Sequence, residues 1–190
     1  SNWVQKTGAY VCKINSALNY INDATGSKSL LLQMQTQEGQ NLDIYLCYDY
    51  ATIDAAGMQR AQAQIESIMM CAGVQELDPD ANGIFQALCG KYLGVVVQRE
   101  ESLDKKTRQV REGMVYKGCF DWKSRQTASE KQANAQAVEL DRYVATLVDL
   151  KQLKNPVVSA VNSTMPIPSA GVHPVNADIN ADDFDSDVPF

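Results

Sequence analysis

Three successive stretches near the start of the chain alternate apolar and polar residues with a period of two. In residues 8–21, Tyr10, Cys12 and Ile14 share one face, and Val11, Lys13 and Asn15 share the other. In residues 28–37, Leu30, Leu32 and Met34 alternate with Leu31, Gln33 and Gln35. In residues 41–50, Leu42, Ile44, Leu46 and Tyr48 alternate with Asp43, Tyr45, Cys47 and Asp49. Turn-forming residues at 22–27 and at Glu38-Gly39 separate the three. The pattern predicts three antiparallel strands in meander order. The period then changes. Met58, Ala61, Ile65, Ile68, Met69 and Ala72 fall at helical spacing within 57–73, which predicts an amphipathic helix.

A short helix is expected at 82–88, followed by strands at 91–99 and 113–122. Residues 129–153 read as a longer helix, with Ser129 and Gln132 as a capping box. Its apolar stripe, Ala133, Ala137, Leu140, Val144 and Leu147, would dock on the body or on a second copy, so a homo-oligomer is one expectation. Pro156 closes this region. Residues 157–177 have the Pro, Ser and Asn content of a linker.

Charge is unevenly spread. The net charge is −6, but residues 1–154 hold all 17 Lys and Arg against 18 of the 23 acids. The body is therefore nearly neutral, and the imbalance sits at 178–190. A body of this kind can carry a local basic patch despite an acidic overall pI. The five cysteines form no Cys-x-x-Cys pair, and His173 is the single histidine. Reduced, packed thiols are expected, with no metal and no cofactor. No apolar run approaches the roughly 20 residues that span a bilayer, so no membrane partner is expected. No secretory pattern opens the sequence, which points to a cytoplasmic protein.

Two apparent motifs fail on their spacing. The run from Asp78 through Asp80 and Asn82 to Gly83 opens like a calcium loop, but Cys89 stands where a bidentate Glu belongs. Gly90-Lys91 is followed by Tyr92, where a phosphate loop needs Ser or Thr. With one histidine in a linker and no nucleophile–base pair evident, an enzyme is not expected.

The chain closes on Asp182, Asp183, Asp185, Asp187, Val188, Pro189 and Phe190. Such a segment has too little apolar surface to fold and too much like charge. It resembles the acidic tip of bacterial and phage single-stranded DNA-binding proteins, whose Asp-rich ends finish in Ile/Val-Pro-Phe. The likeness covers the last nine residues. A looser one links Gly8, Tyr10, Ile14 and Gly90-Lys91 to phage-encoded OB proteins. Five strands with a helix between the third and fourth also match the order of a small Greek-key barrel. The expected fold is mainly β with helices: a five-stranded OB-fold barrel at 1–127, a C-terminal helix at 128–154, a linker at 155–177 and an acidic tip at 178–190.

The function expected on this basis is coating of single-stranded DNA in a bacterial, possibly phage-infected, cell. Replication, recombination and repair enzymes would be recruited through the seven tip residues. Arg99, Lys105, Lys106, Arg108, Arg111, Lys117 and Lys123 would follow phosphates. Tyr45 and Trp122 would stack on bases beside Lys13, Gln33 and Gln35. The alternative is a recombination-accessory adaptor whose OB domain binds protein.

Overall fold

The computed structural model describes residues 2–49 and 54–154. Five strands form one antiparallel sheet: β1 (Gly8–Ile21), β2 (Lys28–Thr36), β3 (Asn41–Asp49), β4 (Tyr92–Leu103) and β5 (Val110–Phe120). Their order across the sheet is β3-β2-β1-β4-β5. The expected OB-fold barrel is not there. Closure needs the two outer strands to pair, and no ladder joins β3 to β5 among the described residues. Part of the reason is local. Asn41, where β3 begins, gives its N–H to Asn2 O at 2.7 Å and receives Val4 N–H at 3.0 Å. The N-terminal segment thus occupies the backbone groups from which a closing ladder would start.

The inner face of the sheet carries the main core. Cys12, Ile14, Ala17, Leu30, Leu32, Met34, Leu42, Ile44, Leu46, Leu93, Val95 and Val97 are all buried in it. The helix α1 (Ala55–Ala72) closes this face with Ile68 and Cys71, and the turns after it add Phe85 and Leu88. Asp54 caps α1 by accepting Gly57 N–H at 2.7 Å, and Gly73 ends it in the left-handed region. The helix expected at 82–88 is instead a run of turns. Asp80 organises that run, accepting the N–H groups of Asn82 and Ile84 and the Gln86 amide. Its own loop therefore satisfies the carboxylate.

The long C-terminal helix is also absent. Residues 128–153 hold two one-turn-and-a-half helices, α2 (Ala128–Ala133) and α3 (Glu139–Val144). Asn134, in the left-handed region, terminates α2. The capping box is formed by Thr127 and Glu130, two residues before the expected pair. Glu130 also accepts Val138 N–H at 2.7 Å and Glu139 N–H at 3.2 Å, so one carboxylate ties both helices together. Leu140, Tyr143, Val144 and Leu147 then pack on Val96, Phe120, Ala9 and Val11. Leu140, Val144 and Leu147 of the apolar stripe are used within the chain, covering the outer face of β1, β4 and β5, while Ala133 and Ala137 are exposed. Gly94 makes this cover possible: any side chain there would overlap the Phe120 ring.

Candidate functional site

The C-terminal segment covers only half of the outer face. Cross-strand pairing fixes what the other half displays, because directly paired residues point the same way. One row runs Tyr92–Lys13–Gln35–Asn41 across β4, β1, β2 and β3. The next is Ser16–Gln33–Asp43, and a third is Leu18–Leu31–Tyr45. Ser16 Oγ and Gln33 Oε1 are hydrogen bonded at 2.5 Å, and Gln35 Nε2 donates to Asn41 Oδ1 at 3.2 Å. The amide side chains are thereby held flat along the strands. Partial burial pushes the Asp43 carboxyl up, against the Gln33 hydrogen bond that pulls it down.

Aromatic rings stand at two ends of this surface. Tyr20 and Tyr45 meet edge to face with centroids 5.6 Å apart. Tyr92 and Trp122 lie 5.2 Å apart at a tilt, with Lys123 Nζ 5.2 Å over the indole. All four rings are exposed, from 37% for Trp122 to 59% for Tyr45. Exposed rings in edge-to-face pairs hold each other in place while leaving faces open to a ligand. The surface between them is polar and close to neutral in charge.

Lys13, Gln33, Gln35 and Tyr45 therefore share this face, and Trp122 and Lys123 border it beside Tyr92. Others do not join it. Lys117 sits at an irregularity in β5, paired with Glu100 at 3.1 Å with side chains only 10% and 11% exposed. Gln98 adds a 2.8 Å hydrogen bond to Glu100. Lys117 is committed to holding the hairpin of β4 and β5, and the phosphate role expected for it is corrected. Arg99 is held by Glu112 at 2.6 Å, beside an open cleft of about 350 Å³ lined by Val4, Gln5, Gly113 and Met114. Arg111 pairs with Asp104 at 3.1 Å. Lys105, Lys106 and Arg108 are exposed on the turn that joins β4 and β5. The residues expected in partner recruitment, from Asp182 to Phe190, lie outside the described residues.

Tyr20 and Tyr92 were not foreseen at this face; for Tyr20 the reason is a bulge, while Tyr92 reaches it by pairing with Lys13. Strict alternation puts Tyr20 with Tyr10, Cys12 and Ile14, which face the core. The register of β1 against β2 shifts between Ile14 and Ser16. One extra residue inverts every later side chain, so Ala17 turns inward and Tyr20 outward. An equivalent shift opposite Val96 and Val97 moves Phe120 to the outer cluster, away from the inner face where strict alternation with Tyr116 would put it. No feature of the local sequence marks either bulge.

Among the described residues no group of three or more His, Cys, Asp or Glu is placed to hold a metal ion. Cys12, Cys71 and Cys119 are buried outside any disulfide, and burial pushes the Cys12 thiol up to about 12. No described helix is long and apolar enough to cross a membrane.

The open sheet also decides the functional expectation. Single-stranded DNA binding and the OB adaptor alternative needed a closed OB barrel to stand beside the resemblance of the tip. Among the described residues β3 and β5 do not pair with each other, the sheet stays open, and those expectations are corrected. The resemblance to single-stranded DNA-binding proteins is corrected with them. No protein-family model matches the chain, and no curated protein matches it in sequence.

Proposed function

We propose that residues 2–154 form a non-catalytic binding domain whose ligand lies across the uncovered half of the outer sheet face. The observation that carries this reading is the placement of two exposed aromatic pairs, Tyr20–Tyr45 and Tyr92–Trp122, around a row of ordered amides. Tyr and Trp give large contact area at low entropic cost, and short polar side chains between them supply hydrogen bonds. The face is flat and wide, not a pocket. It suits a polymer segment that offers flat apolar faces to the rings and hydrogen-bonding groups to Gln33, Gln35 and Asn41. Buried Cys12, Cys71 and Cys119, packed outside any disulfide, favour a reducing compartment, and the cytoplasm is the proposed location.

The test is a fluorescence titration of the full chain against panels of unstructured peptides, neutral oligosaccharides and oligonucleotides. A ligand that uses this face should bind Tyr45→Ala and Tyr92→Ala at least ~30-fold more weakly, the loss of an aromatic hot spot of about 2 kcal/mol. Both rings are exposed, so thermal stability should barely change. A ligand whose affinity ignores both substitutions would place the site elsewhere. Turnover of any panel member would overturn the non-catalytic reading.

A further inference from the structure

The segment that borders β3 brings a further ring to the outer face. Trp3 and Asn41 form a parallel bridge, made by Asn41 N–H on Asn2 O at 2.7 Å and Val4 N–H on Asn41 O at 3.0 Å. The Asn2 amide steadies this segment by donating to Gly39 O at 2.8 Å. Val4 is buried in the inner core. Its neighbour Trp3 therefore points outward, to the same side as Asn41, and is 47% exposed. The first row of the face thus runs Tyr92–Lys13–Gln35–Asn41–Trp3. Trp3 and Tyr92 stand four strand spacings apart, roughly 19 Å. Tyr45 lies four residues along β3 from Asn41, roughly 13 Å off that row. The amides are bounded by three aromatic corners that do not lie on one line.

We infer that this face binds a branched, neutral oligosaccharide, with Trp3 as its third stacking platform. The inference rests on the outer face being the binding site. A straight segment of a linear polymer covers two of the corners and misses the third. Peptides and nucleic acids are linear, whereas a sugar ring can carry two further rings and reach all three corners. The C–H face of a pyranose packs flat on Trp or Tyr, and its rim carries hydroxyls. Each hydroxyl both donates and accepts. The amides match that chemistry. Gln35 Nε2 is engaged by Asn41 Oδ1, which leaves Gln35 Oε1 to accept and the adjacent Asn41 Nδ2 to donate. Charge points the same way. Lys13 and Asp43 offset each other within the face, so a phosphate chain would meet as much repulsion as attraction.

Titrating the full chain with oligomers of glucose, galactose and mannose, followed by tryptophan fluorescence, tests the inference. Each sugar is supplied as a linear and a singly branched isomer of equal ring number. For at least one sugar the branched isomer should bind about tenfold more tightly than the linear one, the worth of one more aromatic contact. Trp3→Ala should abolish that preference, and Trp3→Phe should keep most of it. Trp3 is exposed, so neither substitution should move the melting temperature. Equal affinity for both isomers overturns the inference, as does a preference that survives Trp3→Ala, or failure of every sugar to bind. If a peptide or oligonucleotide then binds and is lost in Tyr45→Ala and Tyr92→Ala, the face stands and the sugar alone is ruled out. Sugar binding that ignores both tyrosines overturns the inference and the face together.

Discussion

Two turns in this protein have the same backbone and opposite circumstances. In residues 104–109, Asp104 accepts the N–H groups of Lys106 and Thr107, and Arg108 N donates to Asp104 O at 2.8 Å. In residues 121–126, Asp121 accepts from Lys123 and Ser124, and Arg125 N donates to Asp121 O at 2.9 Å. Residues 22–27 repeat the design with Asn22 and Gly26. The fifth position is left-handed in all three, with φ of 75° at Gly26, 60° at Arg108 and 63° at Arg125. Glycine adopts that conformation freely, whereas a side chain pays roughly 1 kcal/mol or more for it.

Arg125 has an evident return for its strain. It pairs with Asp141 at 2.9 Å and lies 5.8 Å over the Phe120 ring, fastening α3 to the sheet. Arg108 has no partner of this kind among the described residues. The body turn is welded in further ways, by Lys131 on Asp121 at 2.5 Å and by the Gln126 amide on Ala135 O at 2.6 Å. Among the described residues the tip turn is tied further by Asp104 on Arg111 alone. The same local chemistry thus serves as a joint in one place and as a projecting end in the other.

The strongest way to break this comparison is to remove the organising aspartate from each turn. Asp121→Ala deprives two backbone N–H groups and Lys131 of their acceptor in a part-buried site. It should cost about 2–3 kcal/mol in urea denaturation. Asp104→Ala removes equivalent bonds at a solvated tip and should cost clearly less. Equal losses would mean that the turn itself, not its attachment, sets the energy.

A pH series sharpens the same point. Burial pushes the Asp121 carboxyl up, but Lys131 and the N–H groups of Ser124 and Lys123 outweigh it, and the net shift is downward. Glu130 is lowered in the same manner, by the N–H groups of Thr127, Val138 and Glu139 acting against burial. A carboxyl lowered in the folded state adds stability above its unfolded pKa and loses it as pH falls through the folded value. Denaturation of the wild type should therefore weaken steeply below the usual carboxylate range. Asp121→Asn should flatten that slope, and its deficit against wild type should shrink as the acid range is entered.

The smallest effect comes from the strained arginines. Arg108→Gly should stabilise the protein slightly, by no more than about 1 kcal/mol, because relief of strain is partly offset by the freer unfolded glycine. Arg125→Gly relieves the same strain but loses Asp141 and Phe120, so its melting temperature should not rise. A rise in both would show that the clamp on α3 contributes nothing.

How far the sequence could be read depended on parity. The strands β1 to β3 and the helix α1 were legible because alternation and helical spacing hold along most of their length. Tyr45, Gln33 and Gln35 follow strict alternation, since the irregularity in β3 falls at Tyr48, beyond Tyr45, and none interrupts residues 33–35 of β2. Tyr20 and Phe120 lie beyond bulges, and counting by twos cannot reach them. The C-terminal region misled for a different reason. Leu140, Val144 and Leu147 do share one side, but Asn134 breaks the helix before the stripe is complete. Closure of the sheet was the least legible feature. It depends on whether Asn41 pairs with β5 or with Asn2, a choice between distant segments that no local pattern records.

The buried pair of Lys117 and Glu100 has a consequence for heat. Charges taken out of water lose hydration, and that penalty shrinks as temperature rises, while the gain from apolar burial levels off. The joint at the base of the hairpin is ionic, whereas the cover over Val96 and Phe120 is apolar. Warming should therefore shift the balance between them, with residues 139–147 fraying before the hairpin comes loose. Amide exchange followed at increasing temperature would show protection in β4 and β5 outlasting protection in α3.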